Sequence, residues 1–423
     1  WKIKSMSQNN KGTPRIVVVG AGIVGACCAA YLVREGYSVT MLEAEEPAAG
    51  ASRGNAGALS PGSCIPLSMP GMLKDVPRWL MDRNGPLVIR PSYFLQSLPW
   101  LLRFLAAGQP ERIPAIVDAL HALHSPVFDS YKPILEAAGA QSLVRQSGCI
   151  VVYRSRKGLD SSMGGWKMRQ DRGITFEILD RSGIRDLVPA LADKFECAVL
   201  QPEHGYVTNP HSLVLRIVEY VTGSGGTLRN GRVVGIEQHD RAVSVRLENG
   251  ERLEADRVIV AAGAWSKPLV KALGLSVPLE TQRGYHLHLP SPGIELPLPV
   301  SFVDAKFYAT PMEHGIRLAG TVEFARPSAE PDYARARQLG TLASNWLPEL
   351  QLTGATEWMG RRPCLPDSLP VIGPLPSDNR ILLAFGHGHN GMTSAPTTGR
   401  LIADLIAGRK PFIDIAPYRP DRF

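Results

Sequence analysis

The stretch RIVVVGAGIVGACCAAYLV opens on Arg15 and then runs for eighteen residues, Ile16 to Val33, without a charge. That length admits a membrane-spanning helix. Lys11 and Arg15 before it, and the Cys27-Cys28 pair inside it, also suit an export signal of the lipoprotein kind. A nucleotide-binding element is the third reading, and register decides between the three. Ile16–Val19 reads as a short, wholly apolar strand, as buried parallel strands do. Gly20-Ala21-Gly22-Ile23-Val24-Gly25 follows as G-x-G-x-x-G. In such a turn the first glycine permits a tight reversal, the second lets backbone approach a pyrophosphate, and the third lets the helix pack on the strand. A helix over Ile23–Glu35 would aim its N-terminal N–H groups at the phosphates, with Gly36 as its C-cap. Tyr37–Leu42 reads as a second strand ending at Glu43, where a carboxylate accepts hydrogen bonds from a ribose diol. Neither a membrane span nor a signal continues into such a strand. An acid at that place, rather than Arg or Ser, speaks for FAD or NAD over NADP.

The 423 residues are enough for two domains with their own cores, and the apolar fraction of 44% is ordinary for a globular chain. The net charge of +7 is spread along the sequence rather than gathered in a run. It suits anionic ligands or an anionic membrane face and gives little support to nucleic-acid binding. Six cysteines without C-x-x-C spacing argue against zinc or an iron–sulfur cluster, so no metal is expected, and they fit a reducing, cytoplasmic compartment. Residues Trp1 to about Thr13 are polar and read as a leader, with Met6 as a candidate start.

Three further stretches point to a ligand. Gly50–Gly62, GASRGNAGALSPG, is small and Gly-rich, as backbone wrapped on a ligand requires, although a surface loop has the same composition. Ala255–Ser266 is a strand running into Ala262-Gly263-Ala264-Trp265-Ser266, preceded by alternating strands with a turn at Asn249-Gly250. Arg380–Gly408 reads as strand, Gly-rich turn and helix.

With these motifs in order, the chain resembles the FAD-dependent amine and amino-acid oxidoreductases of the D-amino-acid oxidase superfamily. It is most like the bacterial D-amino-acid dehydrogenases of the small-subunit type, with glycine oxidase a more distant likeness. The resemblance runs from about Arg15 to Gly408. Beside the glycine motif and Glu43 it rests on Ala51–Gly57, on Ala261–Ser266, and on Gly360-Arg361-Arg362-Pro363 with Pro366-Asp367 and Gly373. The first motif is shared by many dinucleotide enzymes; the other three together are specific.

The resemblance implies an α/β fold: a Rossmann-like FAD-binding domain of the glutathione-reductase type over 12–75, 195–282 and 356–423, with a discontinuous α+β substrate domain over 76–194 and 283–355. The residues agree, since Tyr93–Ala107 and Ile113–Ala138 read as helices, GCIVVYRS and TFEILD as strands, and FYATPMEHGIRLAGTVEF as a hairpin turning near Glu313–Gly315. It implies non-covalent FAD, because Cys364 directly follows Pro363 and is not placed like the cysteine of covalent relatives. The expected cofactor contacts are Gly20, Gly22, Ile23, Val24, Gly25, Glu43 and Ala44; Ser52, Asn55, Ala56 and Gly57; Val233; Ala262, Gly263 and Trp265; and His389, Asn390, Gly391, Met392 and Thr393.

The implied reaction is oxidation of an amino acid, D-configured, with proline- and hydroxyproline-like side chains among the candidates, by hydride transfer from Cα to flavin N5. The protein then supplies position and electrostatics. Arg362, at the Arg of G-x-R-P, is expected to pair with the substrate carboxylate, with Arg361 a mild bystander. Tyr285 and His286 are candidates to line the pocket, although their alternation denies them a shared face. Glu323 and Asp304 read as surface carboxylates before amine ligands. Two alternatives stay open: an O₂-using glycine- or sarcosine-type oxidase, and the flavin subunit of a multi-subunit dehydrogenase. A quinone or a partner protein is favoured over O₂ as acceptor. The apolar segment Tyr93–Gly108 reads as a core-facing helix before it reads as a peripheral membrane contact at the inner face of the cell membrane.

Overall fold

A computed structural model describes residues 13–72, 85, 87–326 and 328–423. Apart from Thr13, the expected leader with Met6 lies outside the described residues, as does the first expected domain boundary at 75/76. The elements that position the site are, along the chain, β1 Arg15–Val19, α1 Ile23–Arg34, β2 Ser38–Glu43 and α2 Phe94–Ala107. They continue with β3 Thr227–Asn230, β4 Arg257–Val260, β5 Glu280–Leu289, β6 Phe307–Met312 and β7 Gly315–Phe324. The last are β8 Thr356–Cys364, β9 Val371–Leu375, β10 Asp378–Phe385 and α3 Gly391–Ile406.

A six-stranded sheet has the order β3-β2-β1-β4-β10-β9, parallel except for the β9–β10 pair. Its central strand β1 is apolar on both faces because both faces are covered. The opening stretch is thus strand, turn and helix inside the fold. Helix α1 is apolar all round because it is buried from Ile23 to Val33 with little exception. Its small residues let α3 approach closely: a Cβ on Gly399 would stand 2.7 Å from the Cys27 backbone. Among the described residues no helix is long and apolar enough to cross a membrane.

The second sheet has nine strands. Its path is β8-β5-β7-β6, then Val300–Phe302, Cys149–Tyr153, Cys197–Gln201 and Glu177–Asp180, with Leu87–Ile89 pairing β7. Strands Cys197–Gln201 and β8 pair within this sheet, although the expected division grouped them with the nucleotide-binding unit. The expected hairpin is β6–β7, turning between Met312 and Gly315. The single helix expected over Ile113–Ala138 is two, Ile113–His124 and Val127–Ala138. Pro126 divides them, since it has no N–H to donate and its ring clashes with the preceding turn.

Candidate cofactor and substrate site

Where β1 ends, Gly20 adopts φ +104°, open to glycine and strained for other residues. A Cβ on Gly25 would collide with the Gly20 carbonyl, so Gly25 is what lets α1 begin this close to the strand. Gly22 has room: its nearest obstacle is Ser52 Oγ, 3.3 Å from where a Cβ would stand. Glu43, at the end of β2, steadies the same turn by accepting the Ala21 N–H (2.7 Å) and its neighbour Ala44 N–H (2.8 Å). Ser52 Oγ accepts from Ile23 N (3.0 Å), tying the Gly-rich loop to the start of α1.

These parts border a cavity of about 480 Å³. Of the expected contacts, Gly20, Gly22, Ile23, Val24, Glu43, Ala44, Ser52, Asn55, Val233, Ala262, Gly263, Trp265, Gly391 and Met392 line it. Gly25, Ala56, Gly57 and Thr393 do not line it. Thr393 accepts from Ser60 N (3.1 Å) and donates to the Ala58 carbonyl (3.2 Å), which holds the segment after the Gly-rich loop. His389 and Asn390 line a smaller adjoining cavity of about 120 Å³, with Ser63, Ile65, Cys364 and Leu365. Gly386, His387 and Gly388 border both. A glycine turn before a helix, a carboxylate at the next strand end and a long small-residue wall fit a dinucleotide.

Arg362 lies on β8 with its guanidinium directly over Gly284 of β5, where any side chain would overlap it. Its Nη1 donates to the Thr321 carbonyl (2.9 Å). Thr321 holds φ +62°, a rare conformation for a branched residue, at the bulge where β5 and β7 lose register. Burial pulls the Arg362 pKa down from its ordinary value, and no carboxylate among the described residues pairs with it. Beside it, burial and then the Arg362 charge press the His389 imidazole down to about 3, so it is neutral.

Tyr285 does not line this site. It lies on the opposite face of β5, where its hydroxyl donates to Glu323 (2.6 Å) and accepts from Asp332 N (3.0 Å). Strand alternation is the reason. His286 faces the cofactor side but sits beneath the loop, stacked on Trp358 at 5.1 Å with Nδ1 on the Gly54 carbonyl (2.9 Å). Glu323 is not a surface carboxylate. It is 1% exposed, takes Arg90 Nε at 2.8 Å and has Arg283 Nη1 at 3.6 Å. Asp304 is exposed and accepts from Arg154 N (3.1 Å).

Sequence reading missed Trp358, Met359, Arg361 and Pro363, which line the large cavity. Arg361 is therefore no bystander. Alternation along β8 gave no signal for them, since residues of both parities on this edge strand line the cavity and Arg362 does not. Arg232, next to Val233, was missed as well and carries no local signal.

Known proteins resemble this chain over nearly its whole length. The chain is 36% identical over 416 residues to a D-amino-acid oxidase of Bradyrhizobium diazoefficiens, covering 96% of this chain and 98% of that one. It is 32% identical over 411 residues to a D-amino acid dehydrogenase of Methylobacterium radiotolerans, covering 94% and 97%. Glycine oxidase from Geobacillus kaustophilus superposes with a TM-score of 0.76 at 21% identity, covering 97% of this chain and all of that one. The model of the DAO family, FAD dependent oxidoreductase, matches residues 15–405. With that match over a fold whose glycine turn and cavity fit a dinucleotide, the chain belongs to the FAD-dependent oxidoreductases of the DAO family.

Proposed function

We propose that the protein oxidises the carbon–nitrogen bond of an amino acid, D-configured as in the names of its relatives. The observation that carries this reading is Arg362, a buried guanidinium that lines neither cavity itself but stands beside His389 of the smaller one, with no carboxylate partner among the described residues. Burying a lone cation is costly, and a carboxylate supplied by the substrate offsets that cost with two parallel hydrogen bonds. The Thr321 carbonyl holds one nitrogen, leaving the rest of the fork for the ligand. The same positive field disfavours an ammonium nearby, so the substrate amine is seated neutral, with its lone pair free. Bound FAD supplies the acceptor for the two electrons and the hydrogen leaving Cα. Cys364 is buried with its thiol pushed up to about 12, which keeps it a thiol and supports FAD held without a covalent bond. Anaerobic bleaching of the flavin by a panel of D- and L-amino acids tests the reading, followed by O₂ or a quinone analogue to identify the acceptor. Bleaching by amines that lack a carboxylate, with none by amino acids, would sink it.

A membrane quinone is the acceptor this reading favours. On α2, Leu95, Leu98 and Leu102 fall at helical spacing on one stripe, 78%, 37% and 58% exposed, with Phe94 beside them and Arg103 and Arg112 exposed nearby. The segment is helical, as its sequence indicates, but buries only Ser97, Trp100 and Ala107. An apolar stripe with flanking arginines suits the interface of an anionic bilayer. Flotation with anionic vesicles should recover the protein, and Leu95→Glu with Leu102→Glu should release it. Equal flotation of the variant would exclude this face.

A further inference from the structure

The Gly-rich loop meets the nine-stranded sheet through its carbonyls. Gly54 O receives His286 Nδ1 (2.9 Å) from β5, Asn55 O receives Arg317 Nη1 (2.6 Å) from β7, and Ala56 O receives Thr310 Oγ1 (2.7 Å) from β6. These strands are neighbours, and Arg317 stands directly across from His288 on one side and Thr310 on the other. All three donors therefore share one face. The next carbonyl, Gly57 O, accepts from Val207 N (2.7 Å). An extended chain would turn alternate carbonyls to opposite sides, so a run held on one side is fixed in a turn. The Gly54 seat leaves no space for a side chain, since one would overlap the Trp358 ring. On its other side Asn55 lines the large cavity. Of the amides in this run, Asn55 N goes to Ser52 O (3.3 Å) and Gly57 N to Asn55 Oδ1 (2.8 Å), while among the described residues no protein acceptor takes those of Gly54 and Ala56.

Arg317 is the unexpected member. It pairs with no carboxylate among the described residues, and its Nε is buried without a partner. Burial draws its pKa down to about 10, so it stays charged near neutrality. His286, pushed down to about 3 by burial and then by Arg317, stays neutral, and a carbonyl partner makes Nδ1 its N–H. Folding alone gains little from a buried cation without an anion, because desolvating the charge costs more than a single hydrogen bond returns. Its use lies in the loop it holds.

We propose that His286, Arg317 and Thr310 are positioning residues. Together they set the turn of Gly54–Gly57 and, through it, the affinity of the cavity for FAD. The inference rests on the large cavity being the FAD seat. The test is titration of apoprotein with FAD, followed by flavin fluorescence and visible circular dichroism, beside the melting temperature of the apoprotein. Arg317→Met should weaken FAD binding about tenfold or more and alter the flavin dichroism, since a hydrogen bond from a charged donor is lost. The apoprotein should melt at the same temperature or higher. Thr310→Val keeps shape and removes only the hydroxyl, and should weaken binding about threefold or more. If Arg317→Met fails to fold, Thr310→Val decides. Unchanged FAD affinity and dichroism in the folded variants would overturn the proposal, as would losses that merely follow apoprotein melting. Gly22→Val tests the seat separately: if it binds FAD normally, the cavity assignment fails, and if it alone loses FAD, the clamp fails.

Discussion

Arg362 concentrates the functional argument in one side chain. Arg362→Ala should lower kcat/KM for amino acids about a hundredfold or more, because hydrogen bonds to charged groups contribute roughly 1.5–3 kcal/mol each and a bidentate pair makes two. Turnover should fall along with the rise in KM, since the carboxylate also orients Cα. FAD content should be unchanged. Arg362→Lys should restore little, because an ammonium lacks the planar fork. Steady-state kinetics with flavin content measured on the same samples checks both, and near-normal turnover of Arg362→Ala ends the assignment. Arg361 lines the large cavity, so Arg361→Ala should show instead as weaker FAD retention on gel filtration. Spacing singled out Arg362 from its neighbour. It could not show that Thr321 turns a carbonyl onto it, because that depends on a bulge between two strands far apart in sequence.

At the scale of elements, the glycines of the first turn do separable work. Gly25→Ala puts a Cβ into the Gly20 carbonyl, a backbone contact with nowhere to go, and should cost roughly 1–3 kcal/mol or more in urea denaturation. Gly22→Val meets only the far end of Ser52 and should leave stability nearly unaltered while the purified protein loses its yellow colour. A yellow Gly22→Val, or Gly25→Ala as stable as the parent, would contradict the division. Elements whose signals are local were legible. The Ile16–Val19 strand, the helix from Ile23, Gly36 at φ +82° and the β6–β7 hairpin follow from periodicity and turn chemistry. Pro126 was equally visible, yet helical periodicity on both sides of it masked the break.

Across the whole molecule, buried histidines couple stability to pH. His204, His286 and His387 are pushed down to about 3 and His124 to about 4, in each case chiefly by burial. Below the ordinary value of 6.5 the unfolded chain binds protons that the native state refuses. Stability is thus fully present above that value and is lost as pH falls, by roughly 1.4 kcal/mol per pH unit for each histidine once well below it. The melting temperature, taken with excess FAD, should drop steeply between about pH 6.5 and pH 5, and a flat profile there would refute the coupling. Such effects depend on which imidazoles end up enclosed, and composition cannot report that. The same division runs through the protein. Its sequence alone determined the dinucleotide turn, the strand ending in Glu43 and Arg362 at its motif position, because each rests on neighbours within a few residues. Only the tertiary structure decided which face of β5 meets the cofactor side, that Glu323 is buried among arginines, and that β5, β6 and β7 jointly hold the Gly54–Gly57 carbonyls. The β5–β7 pairing unites residues 27 to 42 positions apart and the Arg317–Asn55 hydrogen bond residues 262 apart, while side-chain alternation, being local, gives two faces without saying which one is inside.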